Sequence, residues 1–142
     1  MRIMISNPSS LVVDFDFIKK IIKIVLTDQE EVSVVFIDEE EMIKFNKEYR
    51  RKRGPTDVLS FSQDEFRNQG INPDFLGEIL ICPAQVKKGA ELGNISEQQE
   101  MAKVLIHGLL HLLGYNHGQS QKKTQRMTER ENYYLSLIKF KT

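Results

Sequence analysis

The chain has 142 residues, enough for one domain with a real hydrophobic core. Hydrophobic residues make up 40% and charged residues 28%, an ordinary globular balance, and 20 basic side chains cancel 20 acidic ones. Net charge therefore gives no argument for or against nucleic acid, while the single cysteine, Cys82, excludes an intrachain disulfide and fits a reducing compartment.

In chain order, "RIMIS" (Arg2 to Ser6) predicts a short strand that "NPSS" ends. From Asp14 to Leu26, Phe15, Ile18, Ile21, Ile22 and Val25 recur at helical spacing, and Asp14 or Asp16 can cap that helix. "EVSVVFI" (Glu31 to Ile37) is β-branched and predicts a strand. Asp38 with Glu41 resembles a capping box and opens a helix through Met42, Phe45 and Tyr49. "RRKRGP" (Arg50 to Pro55) is a basic loop, and "TDVLSFS" (Thr56 to Ser62) a strand. Gln63 to Phe75 is a polar loop, followed by the strand "GEILIC" (Gly77 to Cys82). Pro83 starts a short helix that Gly93 can end. Ser96 with Gln99 is a second capping box, opening an apolar helix through Met101, Val104, Leu105, Leu109 and Leu112. A last helix fits Ser120 to Lys139, with Met127, Tyr134 and Ile138 on one face. Interleaved helices and strands, without repeat or linker, predict a single α/β domain over residues 1–142 with a mixed sheet.

No apolar run approaches a membrane span, and "MRIMISNPSSLVVDFDF" lacks the apolar core of a signal peptide. The expectation is a cytoplasmic protein without a membrane partner.

All three histidines lie in "HGLLHLLGYNHG": His107, His111 and His117. His107 and His111 are four apart on one helix face. Gly114 follows, a residue that tolerates the left-handed turn needed to bring His117 back. Three imidazoles so placed can converge on one ion at about 2.0–2.1 Å each, as zinc prefers, although imidazole suits other transition metals too. Three ligands with water in a fourth, open position is the catalytic pattern. Cys82 is an alternative fourth ligand, but its place after "EILI" reads as a small buried hydrophobe.

The spacing also resembles the metzincin proteases, H-E-x-x-H-x-x-G-x-x-H. Gly108 stands where those enzymes carry the glutamate that serves as general base, so their route to peptide hydrolysis lacks its proton acceptor.

Three motifs, in order, resemble the YbeY family of bacterial rRNA maturation factors. "HGLLHLLGYNH" resembles the family signature H-G-x-L-H-L-x-G-Y-D-H, "NKEYRRKRGPTDVLSFS" resembles N-x-x-Y-R…P-T-D-V-L-S-F-P, and "LGEILIC" resembles L-G-D-I-x-I. The resemblance spans Asn46 to His117. It implies a metal-dependent endoribonuclease selective for single strands, acting in maturation of the 3′ end of small-subunit rRNA and in ribosome quality control. It implies as partners an rRNA precursor and the small ribosomal subunit with its proteins. It implies a mixed four- or five-stranded sheet with packed helices and a metal site at the end of a central helix. The metal ligands correspond to His107, His111 and His117, and the motif arginine to Arg50. The sequence departs from the pattern at Asn116, where the family has Asp, at Ser62 in place of proline, at Glu78 in place of Asp, and in "GQSQKKTQR", which lacks an acidic run.

Chemically, zinc-bound water titrates near neutrality and can attack phosphorus or accept a proton. Arg50 offers a planar fork of donors for phosphate oxygens. Asp57 or Glu78 could support a ligand imidazole, and Arg51, Lys52, Arg53, Lys122, Lys123 and Arg126 could steer RNA. Two other readings remain at this point: a non-catalytic ribosome-associated assembly factor with a structural metal, and a metal hydrolase of another substrate class.

Overall fold

The structure is a computed structural model that describes residues 1–63, 73–115 and 120–140. Its elements are β1 (Arg2–Ser6), α1 (Phe15–Val25), β2 (Glu31–Phe36), α2 (Glu39–Arg50), β3 (Val58–Ser62), β4 (Phe75–Ile81), α3 (Pro83–Gly93), α4 (Glu97–Leu112) and α5 (Gln121–Ser136). The strands form one mixed sheet in the order β1-β2-β4-β3. β1, β2 and β4 run parallel, and β3 returns antiparallel along β4 at the edge. A single α/β domain with four strands thus agrees with the sequence reading.

The two faces of the sheet are filled unequally. Val32, Val34, Phe36, Ile79 and Ile81 point to one face, where α1, α4 and α5 cover them with Ile18, Ile21, Ile22, Leu105, Leu109, Met127 and their neighbours. The other face carries a thinner cluster, Ile37, Met42, Leu59, Leu80 and Cys82, beneath α2. This follows from the two-residue period of the strands, which sends Val58 and Ser60 of β3 one way and Leu59 and Phe61 the other.

Local signals explain most boundaries. Asp14, of the two candidates, caps α1 by accepting from the Phe17 N–H at 3.1 Å. Ser96 and Gln99 form the expected capping box on α4, with bonds of 3.1 and 3.2 Å. The box expected at Asp38 does not form. Asp38 flanks α2, but its carboxylate accepts from the Ser10 N–H and hydroxyl instead, each at 2.9 Å. A long-range bond took the acceptor that local pattern assigned to the helix. At the end of α3 it is Asn94, not Gly93, that turns left-handed, at φ 53°. β4 begins at Phe75, before Gly77, because Phe75 already pairs with Glu31 across a register shift. Most of the predicted Gln63–Phe75 loop lies outside the described residues.

Candidate metal and phosphate cleft

α4 carries the first two histidines. Eight of its residues are buried, and it packs on β3 and β4 as well as on α1, α3 and α5. Its approach to the sheet is close at Gly108. A Cβ there would stand 3.2 Å from Ile79 Cγ2 and Ser60 Oγ and 3.3 Å from Val58 Cγ2. Ser60 Oγ donates to the Gly108 carbonyl at 3.1 Å, tying helix to edge strand. The position after His107 therefore points at the sheet, against Ile79, Ser60 and Val58. A glutamate there would have to be buried between helix and strand.

His107 and His111 are half-buried and line the same cleft as Val58 and Ser60. Their Nε2 atoms lie 3.0 Å apart, with the rings nearly perpendicular at 81°. Two nitrogens bound to one tetrahedral zinc at about 2.0–2.1 Å stand about 3.3 Å apart. Two Nε2 lone pairs at this separation repel unless a proton or a cation lies between them. On the far side of His107, Glu131 Oε1 of α5 stands 3.4 Å from Nδ1. A carboxylate there favours the tautomer protonated on Nδ1, which leaves Nε2 free to ligate. The pair thus fits a transition-metal ion by donor type, spacing and tautomer.

Directly after His111 the chain turns. The Gly114 N–H donates to the His111 carbonyl at 3.0 Å, and Gly114 takes φ +98°. This is the turn that the sequence required before His117. His117 itself, with Asn116, lies outside the described residues. Among the described residues no group of three potential ligands converges.

The histidine pair opens onto a cleft of about 830 Å³ that Arg50, Tyr49, Asp57, Lys103 and Glu131 also line, with β3 along one wall. Arg50, the last residue of α2, is thereby brought to the same cleft as His107 and His111. The chain reverses immediately after it, with Arg51 left-handed at φ 56°. Asn46, buried in α2, holds the returning loop by donating from Nδ2 to the Gly54 carbonyl at 2.9 Å.

Other expected residues sort clearly. Asp57 lines the cleft. Glu78 does not; it lies on β4 opposite Phe61 and accepts from the Ser33 hydroxyl at 3.3 Å. Its register places it on the α2 face of the sheet, so it cannot support a histidine of α4. Cys82 is fully buried with Met42 and Leu80 in the thin cluster, and burial pushes its thiol pKa up. It is a hydrophobe, not a fourth ligand. Arg51, Lys52, Arg53, Lys122, Lys123 and Arg126 are exposed, and none lines the cleft. Sequence reasoning missed Glu131. It falls four residues after Met127 and three before Tyr134, on the inward stripe of α5. An acid inside an apolar stripe was the available signal.

Comparison with known proteins agrees along nearly the whole chain. The family model described as endoribonuclease YbeY matches residues 10–139. An endoribonuclease YbeY of Syntrophus aciditrophicus is 37% identical over 122 residues, covering 85% of this chain and 76% of that protein. One from Thermodesulfovibrio yellowstonii is 40% identical over 108 residues, covering 76% and 67% respectively. The solution structure of a Thermotoga maritima protein superposes with a TM-score of 0.64 at 29% identity, covering 94% of this chain and 87% of that one.

Proposed function

The chain belongs to the endoribonuclease YbeY family, a family of RNA-cleaving hydrolases by its name, and from that premise we propose that it is a metal-dependent endoribonuclease acting on single-stranded rRNA precursor. The reading extends to small-subunit rRNA 3′-end maturation and quality control in the cytoplasm, in association with the small subunit and its proteins. The observation that carries it is the His107–His111 pair, 3.0 Å apart at Nε2, in a cleft shared with Arg50.

His107 and His111 would hold one ion, zinc by preference of the donor set, with His117 as the third ligand. Such an ion supplies Lewis acidity at a phosphoryl centre. The chain's own groups do the rest. Glu131 keeps the proton of His107 on Nδ1. Arg50 binds non-bridging phosphate oxygens through its planar fork and offsets the negative charge that grows on them during cleavage. Val58 and Ser60 of β3 and Val104 of α4 form the wall against which the strand lies. Peptide hydrolysis by the metzincin route finds no base, because Gly108 faces the sheet.

The test is cleavage of a small-subunit rRNA precursor by zinc-loaded protein beside His111→Ala prepared identically. Cutting by wild type alone supports the reading. Cutting by both points to a contaminating nuclease. Cutting by neither, with metal bound to wild type, moves the assignment to a non-catalytic assembly factor.

A further inference from the structure

We infer that Tyr49 is a stacking platform for an unpaired RNA base, and that it makes the cleft selective for single strands. The inference rests on the reading of the cleft as an RNA-cleaving site and names what holds the strand there.

Met42, Phe45 and Tyr49 are spaced three and four residues apart, one apolar stripe on α2. A stripe that serves packing alone stays under cover. This one climbs out of the core: Met42 is 0% exposed, Phe45 is half-buried and Tyr49 is 57% exposed. The exposed end is the end at the cleft, beside Arg50.

Exposure has not left the ring without support. Tyr49 stacks with Phe45 at a centroid distance of 5.8 Å and an interplanar angle of 17°. It meets Phe61 of β3 in a T-shaped contact at 5.1 Å and 75°. Two aromatic neighbours thus fix the ring of a residue that is itself more than half exposed. A pre-ordered aromatic loses little conformational entropy on binding a flat partner. Every base has a π-face, so such a platform tolerates sequence. In a duplex those faces are covered by the neighbouring base pairs, and an A-form helix offers side chains only base edges and 2′-hydroxyls in its shallow minor groove. An exposed ring in the cleft therefore accepts single strands and refuses duplex. Tyr49 and Arg50 are consecutive, so one turn of backbone presents a ring for a base and a guanidinium for a phosphate.

The protein has no tryptophan, so Tyr49→Trp introduces a single fluorophore at this position. It is titrated with a short oligoadenylate, with an abasic oligomer of equal length and charge, and with a blunt RNA duplex, while a gel verifies that the oligomers stay intact. Oligoadenylate should quench the emission; the abasic strand and the duplex should not. In parallel, Tyr49→Ala should weaken oligoadenylate binding by about 5- to 150-fold, with abasic binding unchanged. Tyr49→Phe, which keeps the ring, should bind oligoadenylate within about twofold of wild type. Thermal melting of the three variants separates lost stacking from lost folding, since the phenylalanine variant keeps the packing that alanine removes. Unmoved emission, with Tyr49→Ala binding oligoadenylate as wild type does, overturns the inference and leaves the RNA reading standing. Wild-type protein that binds no oligoadenylate overturns both.

Discussion

His107 and Arg50 line one cleft from supports of opposite character. The histidine sits on a helix with a complete capping box, eight buried residues and the sheet beneath it. Arg50 ends a helix that buries only Met42 and Asn46, and is itself exposed. Asn46 steadies the loop behind it, donating from its side chain to the Gly54 carbonyl and accepting at its own backbone carbonyl from the Lys52 N–H. The difference matches the work. Groups that share an ion must be held to within about 0.5 Å, which needs side chains locked by a dry core. A guanidinium that follows a phosphate works from a long stem and loses little by having water around it. The cleft is firmly seated where the histidine pair lies and solvent-exposed where Arg50 lies.

The largest effect expected of this asymmetry is at His111. His111→Ala should abolish zinc binding and cleavage together, with the fold retained, as read by metal stoichiometry, a cleavage assay and circular dichroism. Retained zinc at one ion per chain would mean that the pair is not the metal site. Next, Arg50→Ala should leave zinc stoichiometry and melting temperature unchanged while cleavage falls by about 10²–10³-fold, as for loss of one charge-stabilising donor. Loss of metal in this variant would show that the two walls are one coupled unit and would break the comparison. Glu131→Gln is smaller still. An amide still occupies the space beside Nδ1 but no longer offers a charge, so zinc affinity should fall by about 10- to 100-fold. Competition with a chromogenic chelator reads that change, and unaltered affinity would remove Glu131 from the site.

The same contrast governs what was legible in the sequence. α4 and its histidines were readable because local signals agree there: the Ser96 box, the apolar spacing, His at i and i+4, then Gly114. Arg50 was readable only through its motif, since "RRKR" alone looks like any solvated loop. Partners made across the fold were not readable. Asp38 gave its carboxylate to Ser10, 28 residues away. Glu131 reaches His107 from another helix, 24 residues on. Glu78 and Asp57 looked equivalent as strand acids, and strand order separates them: Glu78 lies on the interior strand β4, whereas Asp57 immediately precedes the edge strand β3 that lines the cleft. Tyr49 read only as a member of the helical stripe with Met42 and Phe45; how far a stripe extends beyond the core depends on what packs against it.

The smallest effect tests how tightly the helix that carries the histidine pair is seated. Gly108→Ala adds one methyl where Ile79, Ser60 and Val58 already stand 3.2–3.3 Å from the ideal Cβ position. Overpacking of this kind costs about 1–3 kcal/mol. Alanine in a helix interior recovers about 1 kcal/mol over glycine. The net loss should be about 1 kcal/mol, a fall of about 3–5 °C in melting temperature for a chain of this size. The helix would shift outward by a few tenths of an ångström, and zinc affinity should drop slightly with it, since both histidines ride on the same two turns. A rise in melting temperature would mean that the sheet yields readily and that α4 is seated more loosely than its neighbours imply. Either result also bears on Gly108 as a sequence signal. A methyl that is resisted there shows that the residue after His107 is a packing position, with no room for a catalytic carboxylate between helix and strand.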